Sequence, residues 1–452
     1  MTMTSMRLLV CLAASLGLLI GHLDVATAYL NALLDRTIYM RAPEGMKSAH
    51  AGQFLRLKKA LYGLHQSGRL WSELLLATLK CVGFRSCVNG DPYVLVRRSR
   101  TQRFLIIGVY VDDMPTLYHS SDAAEMAEAV GALQQYFDIT VVPQIHTLLG
   151  MRIQRDSSTG VYTMHQAAYT QKVLEQFGYM DAKPSLAPES TQRSNSSYEA
   201  DKQLPGPSSR PQLTVANFRA AVGALQWLAC GTRFDIAHAV NNLARAVAAP
   251  DENACSRARK LFRYLAGTRT LGLTYFPTTD GQPVSLEAYS DSDYAGDESS
   301  SKSTTGVLLK IGGAPIHWFS RQQPTVSRSS TEAEYIAAGE CGRVIVWLRV
   351  LLAELGCAQA APTTLHIDNE TALDMTRDDG RQFPKRKHIR VLYHWIREAV
   401  QDGFISPRWI PTAQQQADLL TKPLSVASFM RLRALILGTT AQQKADASLS
   451  DR

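Results

Sequence analysis

The stretch Tyr110-Val111-Asp112-Asp113-Met114 places two adjacent acids in the middle of an apolar, β-rich segment that runs from Arg103 to His119. Such a segment predicts a β-hairpin with the two aspartates at its turn. Two like charges about 4 Å apart repel each other by roughly 4 kcal/mol at an effective dielectric constant of about 20. A divalent cation converts this repulsion into attraction, because Mg²⁺ prefers hard oxygen ligands. We therefore expect a metal site at this turn; the alternative for an isolated Asp-Asp pair is a solvated turn.

A third carboxylate for this site is expected from another strand, and Asp24 is the candidate. It lies at the end of a short apolar stretch that begins at His22 and is followed by a predicted helix. Carboxylates in this arrangement hold two Mg²⁺ ions about 3.5–4 Å apart, which stabilise the attacking and leaving oxygens of an in-line phosphoryl transfer.

The residues before Asp24 allow two interpretations. A short basic start, an uncharged apolar run from Leu8 to Ile20 and the small residues Ala26-Thr27-Ala28 together have the outline of a secretory signal. The run is too short to span a membrane. The alternative is a buried helix, a turn at Gly21, a short strand and a second helix before residue 40. We favour this alternative, because cleavage after Ala28 would remove Asp24.

The composition indicates a globular protein. Of 452 residues, 45% are hydrophobic and 19% are charged, which excludes wholesale disorder, a collagen-like repeat and a bundle of membrane spans. The net charge of +8 is compatible with a polyanionic partner. The seven cysteines are scattered and include no CxxC pair, which favours reduced thiols in an intracellular protein over disulfides or a zinc site.

A second set of acids follows residue 285, where a new pattern of strands and helices begins. Asp291 follows an apolar strand, Asp368 ends another, and Glu334 lies near the start of a long helix. Asp418 lies near the C-terminus. Four acids from separate elements can converge on one metal pair.

These motifs occur in an order and spacing that resemble a known family. The hairpin pentapeptide resembles the metal-binding hairpin of reverse transcriptases. Ala28-Tyr29-Leu30-Asn31 and Leu57-Lys58-Lys59-Ala60-Leu61-Tyr62-Gly63-Leu64 resemble the polymerase of copia-type LTR retrotransposon polyproteins. The segments around the second set of acids, together with Lys302-Ser303-Thr304-Thr305-Gly306, resemble the ribonuclease H domain that follows this polymerase.

The resemblance implies an enzyme, an RNA-directed DNA polymerase with ribonuclease H activity on RNA–DNA hybrids. The implied catalytic and metal-binding residues are Asp24, Asp112 and Asp113 in the polymerase and Asp291, Glu334, Asp368 and Asp418 in the ribonuclease H domain. Each set would hold two Mg²⁺ ions, for which Mn²⁺ could substitute.

Five further residues receive substrate-binding roles from the resemblance. Tyr29 falls where this polymerase class places the aromatic side chain that excludes a 2′-hydroxyl, and Gly63 and Gln66 fall in the segment that contacts template and nucleotide. Lys387 and His388 belong to a basic cluster that would meet backbone phosphate. The alternatives are a core aromatic for Tyr29, a surface polar residue for Gln66 and a solvated helix start for the basic cluster.

The implied partners are an RNA template, a DNA primer, dNTPs and the RNA–DNA hybrid, with no membrane. Integrase and capsid products of the same polyprotein are further candidate partners. The expected location is intracellular, in a cytoplasmic virus-like particle, the nucleus or both.

The expected fold class is α/β, of the α+β type, with a reverse-transcriptase palm, a helical connection and a ribonuclease H-like mixed-sheet domain. The predicted domains are 1–182 (palm and thumb-side region), 183–213 (Pro/Ser-rich linker), 214–284 (helical connection), 285–436 (ribonuclease H-like domain) and 437–452 (disordered tail).

Two departures from the family pattern affect the polymerase. The family's polymerase domain is longer at its front, so we expect the N-terminal fingers to be missing and polymerase competence to be doubtful. Pro115 follows the hairpin turn and removes a ladder donor, which is expected to weaken the second strand. The alternative function is therefore a non-catalytic nucleic-acid-binding remnant of a decayed element.

Overall fold

The computed structural model describes residues 1–43, 46, 53–191, 213–278, 284–297, 299–377 and 395–438. These residues belong to two compact units. Unit 1 comprises Met1–Leu9, Gly17–Leu149 and Glu354–Gly356, and unit 2 comprises Val10–Leu16, Gly150–Ala353 and Cys357–Arg452. Most of the predicted linker and of the predicted tail lies outside the described residues. No helix in the described ranges is long and apolar enough to span a membrane.

Helices and strands occur in both units, which confirms the predicted α/β class. The described helices are α1 (Met3–Ser15), α2 (Ser67–Cys81), α3 (Ala123–Gln134), α4 (Ala167–Phe177), α5 (Phe218–Gly231), α6 (Ala237–Arg245), α7 (Glu252–Gly267), α8 (Ser330–Glu354), α9 (Glu370–Arg377) and α10 (Val426–Leu437). The first eight strands are β1 (Leu19–Val25), β2 (Tyr39–Arg41), β3 (Phe54–Arg56), β4 (Arg85–Cys87), β5 (Asp91–Arg98), β6 (Phe104–Gly108), β7 (Asp113–Tyr118) and β8 (Ile139–Val142). They are followed by β9 (Thr147–Leu148), β10 (Met151–Arg155), β11 (Tyr162–His165), β12 (Leu273–Tyr275), β13 (Leu286–Asp293), β14 (Thr304–Ile311), β15 (Ala314–Gln322), β16 (Thr363–Ile367) and β17 (Ile405–Trp409).

Unit 1 is built on a six-stranded sheet with the strand order β4-β5-β6-β7-β1-β8. Its core includes the buried face of α2, where Trp71, Leu75 and Leu79 recur at helical spacing. Met126 and Leu133 of α3 belong to the same core. This core holds β1 and β7 side by side, and these two strands carry the predicted polymerase carboxylates.

Two local predictions before residue 40 are wrong. Gly21 lies inside β1 and not in a turn. Glycine fits this position of the strand because a Cβ atom there would approach Thr116 Oγ1 of β7 to 2.7 Å. The predicted second helix is only a short 3₁₀ turn over Ala28–Asn31. The apolar run of Leu8 and its neighbours lies buried in α1, in agreement with the buried-helix alternative.

Pro115 does not interrupt its strand. It lies buried within β7, and its Cα partner on β1 is His22. On the other side, the pairing of β7 with β6 runs through Leu117 and Thr116 and stops before residue 115. The missing N–H therefore coincides with the end of that ladder, and the expected weakening of the strand is not seen.

Unit 2 contains a five-stranded sheet with the order β15-β14-β13-β16-β17. β13 is antiparallel to β14 and parallel to β16, and β16 is parallel to β17. The predicted mixed sheet is thus confirmed. Helix α9 was not predicted; it follows β16 directly, and its first turn is capped by Asn369 Oδ1, which accepts from Ala372 N at 2.9 Å.

A buried ion pair joins the helical part of unit 2. Both side chains of the Arg233–Asp235 pair are 1% exposed, and Arg233 Nε donates to Asp235 Oδ1 at 2.9 Å. The hydroxyl of Tyr264 on α7 donates to Asp235 Oδ2 at 2.5 Å and accepts from Arg433 Nη1 on α10 at 2.8 Å. Because the guanidinium and the carboxylate satisfy each other, this network can remain out of water.

We predict that Arg233→Met lowers the free energy of unfolding by about 3–5 kcal/mol, because it leaves the Asp235 carboxylate buried without its counter-charge. Urea denaturation followed by circular dichroism measures the loss. The double variant Arg233→Met/Asp235→Leu should lose less than the single variant, since no buried charge remains. A double variant as unstable as the sum of the two single variants would contradict this account.

Candidate metal centres

The Asp112-Asp113 segment forms a tight turn, as predicted. Tyr110 and Asp113 exchange two backbone hydrogen bonds of 2.9 and 3.0 Å, so Val111 and Asp112 form the tip. Val111 has a left-handed backbone (φ 58°), a conformation that is strained for a β-branched residue. The indole Nε1 of Trp71 donates to Val111 O at 2.8 Å and holds this conformation. Backbone strain of this kind is concentrated at functional sites.

Asp24 lies directly opposite Asp113 in the pairing of β1 with β7. Val25 N donates to Asp112 O at 3.3 Å, so Asp24 and Asp113 form a non-hydrogen-bonded pair. In such pairs the two side chains lie on one face and closest together. The structure thus brings together two of the three predicted polymerase ligands. Asp113 also makes a contact that was not predicted: its Oδ1 lies 2.8 Å from His22 Nε2.

Asp112, the third predicted ligand, does not form a compact cluster with Asp24 and Asp113. Among the described residues, only Asp291, Asp368 and Asp418 have acidic ligand atoms that all lie within 4.8 Å of one another. Asp112 lies at the tip of the turn and precedes β7, so it is not part of the strand pairing that places Asp24 opposite Asp113. Asp24 is exposed and Asp112 is half-buried. The metal-binding role of these three residues stays a prediction.

Tyr29 and Tyr62 lie against each other near these acids. Their ring centroids are 4.5 Å apart, and Tyr29 also packs against the core of unit 1. The pKa of Tyr62 is raised, by partial desolvation first and then by the negative charge of Asp112. The sequence motif that contains Tyr62 did not predict that this residue lies near the Asp112-Asp113 turn.

Gly63 and Gln66 are the two other residues of unit 1 that were predicted to contact template and nucleotide. Gly63 has a positive φ of 96°, which favours glycine. Gln66 is buried rather than a surface residue, and its Nε2 has no hydrogen-bond partner among the described residues. Lys387 and His388, with the rest of the basic cluster, lie outside the described residues.

The second set of acids converges in unit 2. Asp291 lies on β13, Asp368 follows β16, and Asp418 lies in a 3₁₀ helix over Gln416–Leu420. One carboxylate oxygen from each lies within 4.8 Å of the others. Asp291 is 2% exposed and Asp418 is 6% exposed. The repulsion among three negative charges this close together costs free energy, and a positive charge beside them would offset that cost.

Glu334 on α8, the fourth predicted residue, lies beside this triad and interacts with Asp291 and Asp368. Its Oε1 accepts from Ser292 N at 3.2 Å, and its Oε2 is buried without a partner among the described residues. Burial, and then the charges of Asp291 and Asp368, raise the pKa of Glu334 well above its usual range. Together with the oxygens of the three aspartates, this unpaired buried oxygen offers the hard ligands that suit a divalent cation.

Lys422 supplies part of the missing positive charge. Its Nζ lies 2.8 Å from Asp418 Oδ1 and 3.7 Å from Asp291 Oδ2. The hydroxyl of Thr421 donates to Asp291 Oδ2. Neither residue was predicted as a site residue, although the i, i+4 spacing of Asp418 and Lys422 was a visible signal for an ion pair.

A glycine allows the segment that carries Asp418 to lie against the sheet. Gly306 on β14 is the Cα partner of Asp291. A Cβ atom at Gly306 would approach Ala417 O and Leu420 Cβ to 2.9 Å and Thr421 Cγ2 to 2.6 Å. Because Gly306 has no side chain, the segment that carries Asp418 can lie against β14, and Asp418 comes close to Asp291.

We predict that the metal-free protein becomes less stable as the pH rises from about 4 to 8. Burial, and then the charge of Asp291, raise the pKa of Asp418 from 3.8 to about 8. The folded state therefore binds more protons than the unfolded state between these values, and stability falls as the pH rises. Asp418→Asn removes this contribution, so the decrease in melting temperature between pH 5 and pH 8 in EDTA should become smaller.

The matched control for this measurement is Asp374→Asn, which changes an exposed carboxylate on α9. It should keep the pH dependence of the unaltered protein. Equal pH dependence in both variants would show that Asp418 is not held in an environment that penalises its charge.

Comparisons with known proteins agree with these observations. A family model described as "Reverse transcriptase (RNA-dependent DNA polymerase)" matches residues 1–191. The Pol polyprotein from transposon TNT 1-94 of Nicotiana tabacum is 35% identical over 435 residues, which are 96% of this chain and 32% of that protein. The Pol polyprotein from transposon RE2 of Arabidopsis thaliana is 34% identical over 427 residues, 94% of this chain and 28% of that protein. The chain thus spans about a third or less of these relatives.

Among solved structures, the N-terminal RNase H domain of a Mycobacterium tuberculosis protein aligns with a TM-score of 0.23 and 16% identity, over 36% of this chain and 99% of that one. Reverse transcriptases and ribonucleases H generally use divalent metal ions, and the acidic triad of unit 2 has the donor atoms for one. The two Pol polyproteins match nearly the whole chain, and the reverse-transcriptase model matches its N-terminal part. The chain belongs to the copia-type retrotransposon Pol family.

Proposed function

We propose that this chain is an RNA-directed DNA polymerase that also hydrolyses the RNA strand of RNA–DNA hybrids, with Mg²⁺ as the metal in both reactions. The observation that carries the proposal is the convergence of Asp291, Asp368 and Asp418 from three separate elements of unit 2. Family membership supports the same chemistry. Nothing in the core packing of unit 2 requires three acids at one point, so their cost to stability argues for a function.

In the ribonuclease H reaction, Asp291, Asp368 and Asp418 would hold the metal, and Glu334 would be the fourth carboxylate. A bound divalent cation supplies Lewis acidity to a phosphoryl oxygen and lowers the pKa of a water molecule. Lys422 keeps Asp418 and Asp291 oriented by its contacts with both carboxylates. Burial and the charges of Asp291 and Asp368 raise the pKa of Glu334, so its charged form would be favoured by a divalent cation beside it.

In the polymerase reaction, Asp24 and Asp113 would bind metal from the shared face of β1 and β7, with Asp112 at the turn beside them. His22 holds the Asp113 carboxylate from one side. The paired rings of Tyr29 and Tyr62 form an apolar wall next to these acids, which suits a surface against which a sugar or base packs.

The proposed substrates are an RNA template, a DNA primer and dNTPs, and the net charge of +8 favours such polyanionic partners. Integrase and capsid products of the same polyprotein are proposed as further partners. The proposed location is inside the cell, in virus-like particles, the nucleus or both.

We predict Mg²⁺-dependent cleavage of the RNA strand in a labelled RNA–DNA hybrid, resolved by denaturing gel electrophoresis. Asp368→Asn should lower the rate at least about 100-fold, which corresponds to roughly 3 kcal/mol of transition-state stabilisation. Asp374→Asn, the same chemical change at an exposed position of α9, should leave the rate unchanged. Salt-sensitive binding of the hybrid without cleavage would instead favour the non-catalytic nucleic-acid-binding remnant.

We also predict Mg²⁺-dependent extension of a DNA primer on an RNA template. Asp113→Asn should lower the extension rate at least about 100-fold, because it removes a charge that would bind metal. Glu128→Gln on α3 is the control, since its carboxylate is exposed and pairs with the exposed Arg100. Cleavage without extension would limit the proposal to the ribonuclease H reaction.

A further inference from the structure

Asp418 lies on a short 3₁₀ turn and not on a strand or an α-helix. Its backbone hydrogen bonds with Gln415, Thr421 and Lys422 are 3.2 to 3.4 Å long. Turns of this kind have poorer hydrogen-bond geometry than α-helices. The position of the Asp418 carboxylate therefore depends on side chains that fix the turn against the sheet. We call residues 416–420 the Asp418 turn.

The side chain of Gln415 links the Asp418 turn to the strand that carries Asp291. Its Oε1 accepts from Ala417 N at 3.2 Å, inside the turn. Its Nε2 donates to Ser290 O at 2.9 Å, on the residue directly before Asp291. One amide group therefore connects the backbone next to one acid with the backbone next to another.

Gln415 is completely buried, which is unusual for a glutamine. Its exposed fraction is 0%, whereas glutamine is found mostly at protein surfaces. A buried amide is tolerated when its polar atoms are hydrogen-bonded, as both are here. An apolar side chain of similar volume would fill the same space but would not bind Ser290 O and Ala417 N. The glutamine at this position is therefore explained by the two backbone groups that it connects.

The neighbouring contacts of the Asp418 turn agree with this role. Lys310 on β14 is 4% exposed, and its Nζ donates to Gln416 Oε1 at 3.1 Å, so the turn is also attached to the second strand of the sheet. The pairing of β13 with β16 ends at Tyr289, one residue before the carbonyl that Gln415 binds. Gln415 thus attaches the turn to a part of β13 that β16 no longer pairs with.

We infer that Gln415 is a positioning residue for the metal centre of unit 2, which fixes the distance between the carboxylates of Asp418 and Asp291. Its amide binds backbone atoms, so it acts through these two aspartates. Groups that orient metal ligands typically contribute about 10–100-fold to metal affinity or activity. The inference rests on the proposed ribonuclease H function for the reaction, and on the two hydrogen bonds for the positioning.

The test compares Gln415→Met with Gln359→Met in the full chain. Methionine keeps the approximate length and volume of glutamine but has no amide. Gln359 is a matched control, because its Nε2 donates to Val284 O at 2.7 Å and its Oε1 accepts from Leu286 N at 3.0 Å. These contacts lie at the start of β13, whereas Asp291 lies near its end. Both variants lose an attachment to β13, but only one of these attachments lies beside the acids.

The first measurement is metal binding. Titration with Mn²⁺, followed by the electron paramagnetic resonance signal of the free ion, should give an affinity at least about tenfold lower for Gln415→Met. Gln359→Met should bind Mn²⁺ as the unaltered residue does. Each protein carries Asp113→Asn in this titration, so that binding in unit 1 is reduced equally. In hybrid cleavage without Asp113→Asn, the Mg²⁺ concentration for half-maximal rate should rise by the same factor.

The second measurement needs no metal. Hydrogen exchange of residues 416–421 in EDTA, followed by mass spectrometry, should be at least about fivefold faster in Gln415→Met, since one lost hydrogen bond is worth roughly this factor. Exchange of β15 in the same sheet should be unchanged.

A second variant, Gln415→Asn, separates positioning from folding. Its amide can still cap the Asp418 turn, but it is one methylene too short to reach Ser290 O as well. It should lose Mn²⁺ affinity while losing less stability in urea denaturation than Gln415→Met does.

Unchanged Mn²⁺ affinity in both Gln415 variants would overturn the inference, as would an equal loss in Gln359→Met. Either result in a chain that cleaves the hybrid would refute the positioning role alone. A chain that neither binds Mn²⁺ nor cleaves the hybrid, but whose Asp418 turn exchanges faster in Gln415→Met, would refute the proposed function while supporting the attachment by Gln415.

Discussion

Repulsion among like charges is the constraint on which the centre in unit 2 depends. Asp291, Asp368 and Asp418 converge there beside Glu334, and all of these carboxylates except that of Asp368 are almost completely buried. The ammonium of Lys422 and the hydroxyl of Thr421 offset part of this repulsion. Burial raises the pKa of both Glu334 and Asp418. These compensations are partial, and the acidic oxygens that remain are the kind of ligand that divalent cations prefer.

The carboxylates of unit 1 are held in a different way. Asp24 and Asp113 are fixed by strand register rather than by burial, and Asp24 is exposed. Water therefore screens their repulsion, and less compensation is needed. The strain of this site lies in the backbone at Val111, which the indole of Trp71 holds in place. The chain thus limits the repulsion between carboxylates in two ways: by burial with compensating groups in unit 2, and by strand register with exposure to water in unit 1.

Much of the fold was predictable because the signals were local. The apolar runs around Asp112-Asp113 predicted a hairpin, and the long helix that carries Glu334, α8, was also predicted. Gly21 was misassigned to a turn because its reason is the close approach of Thr116, which lies far away in sequence. Helix α9 was missed because it is short and depends on the Asn369 cap.

The candidate sites show the same division. The pairing of Asp24 with Asp113 and the convergence of the unit 2 acids followed from motif and resemblance. The contacts of Lys422, Thr421 and His22 did not, since each requires knowing which side chains face one another. The roles assigned to Lys387 and His388 stay predictions, as do the predicted domain boundaries.

The glycine at position 306 has a consequence for how the unit 2 centre is assembled. Asp291, Glu334 and Asp368 are synthesised before Asp418. Asp418 reaches them only when residues 416–420 lie against β14 at Gly306. A chain still emerging from the ribosome therefore holds an incomplete ligand set until this last segment docks.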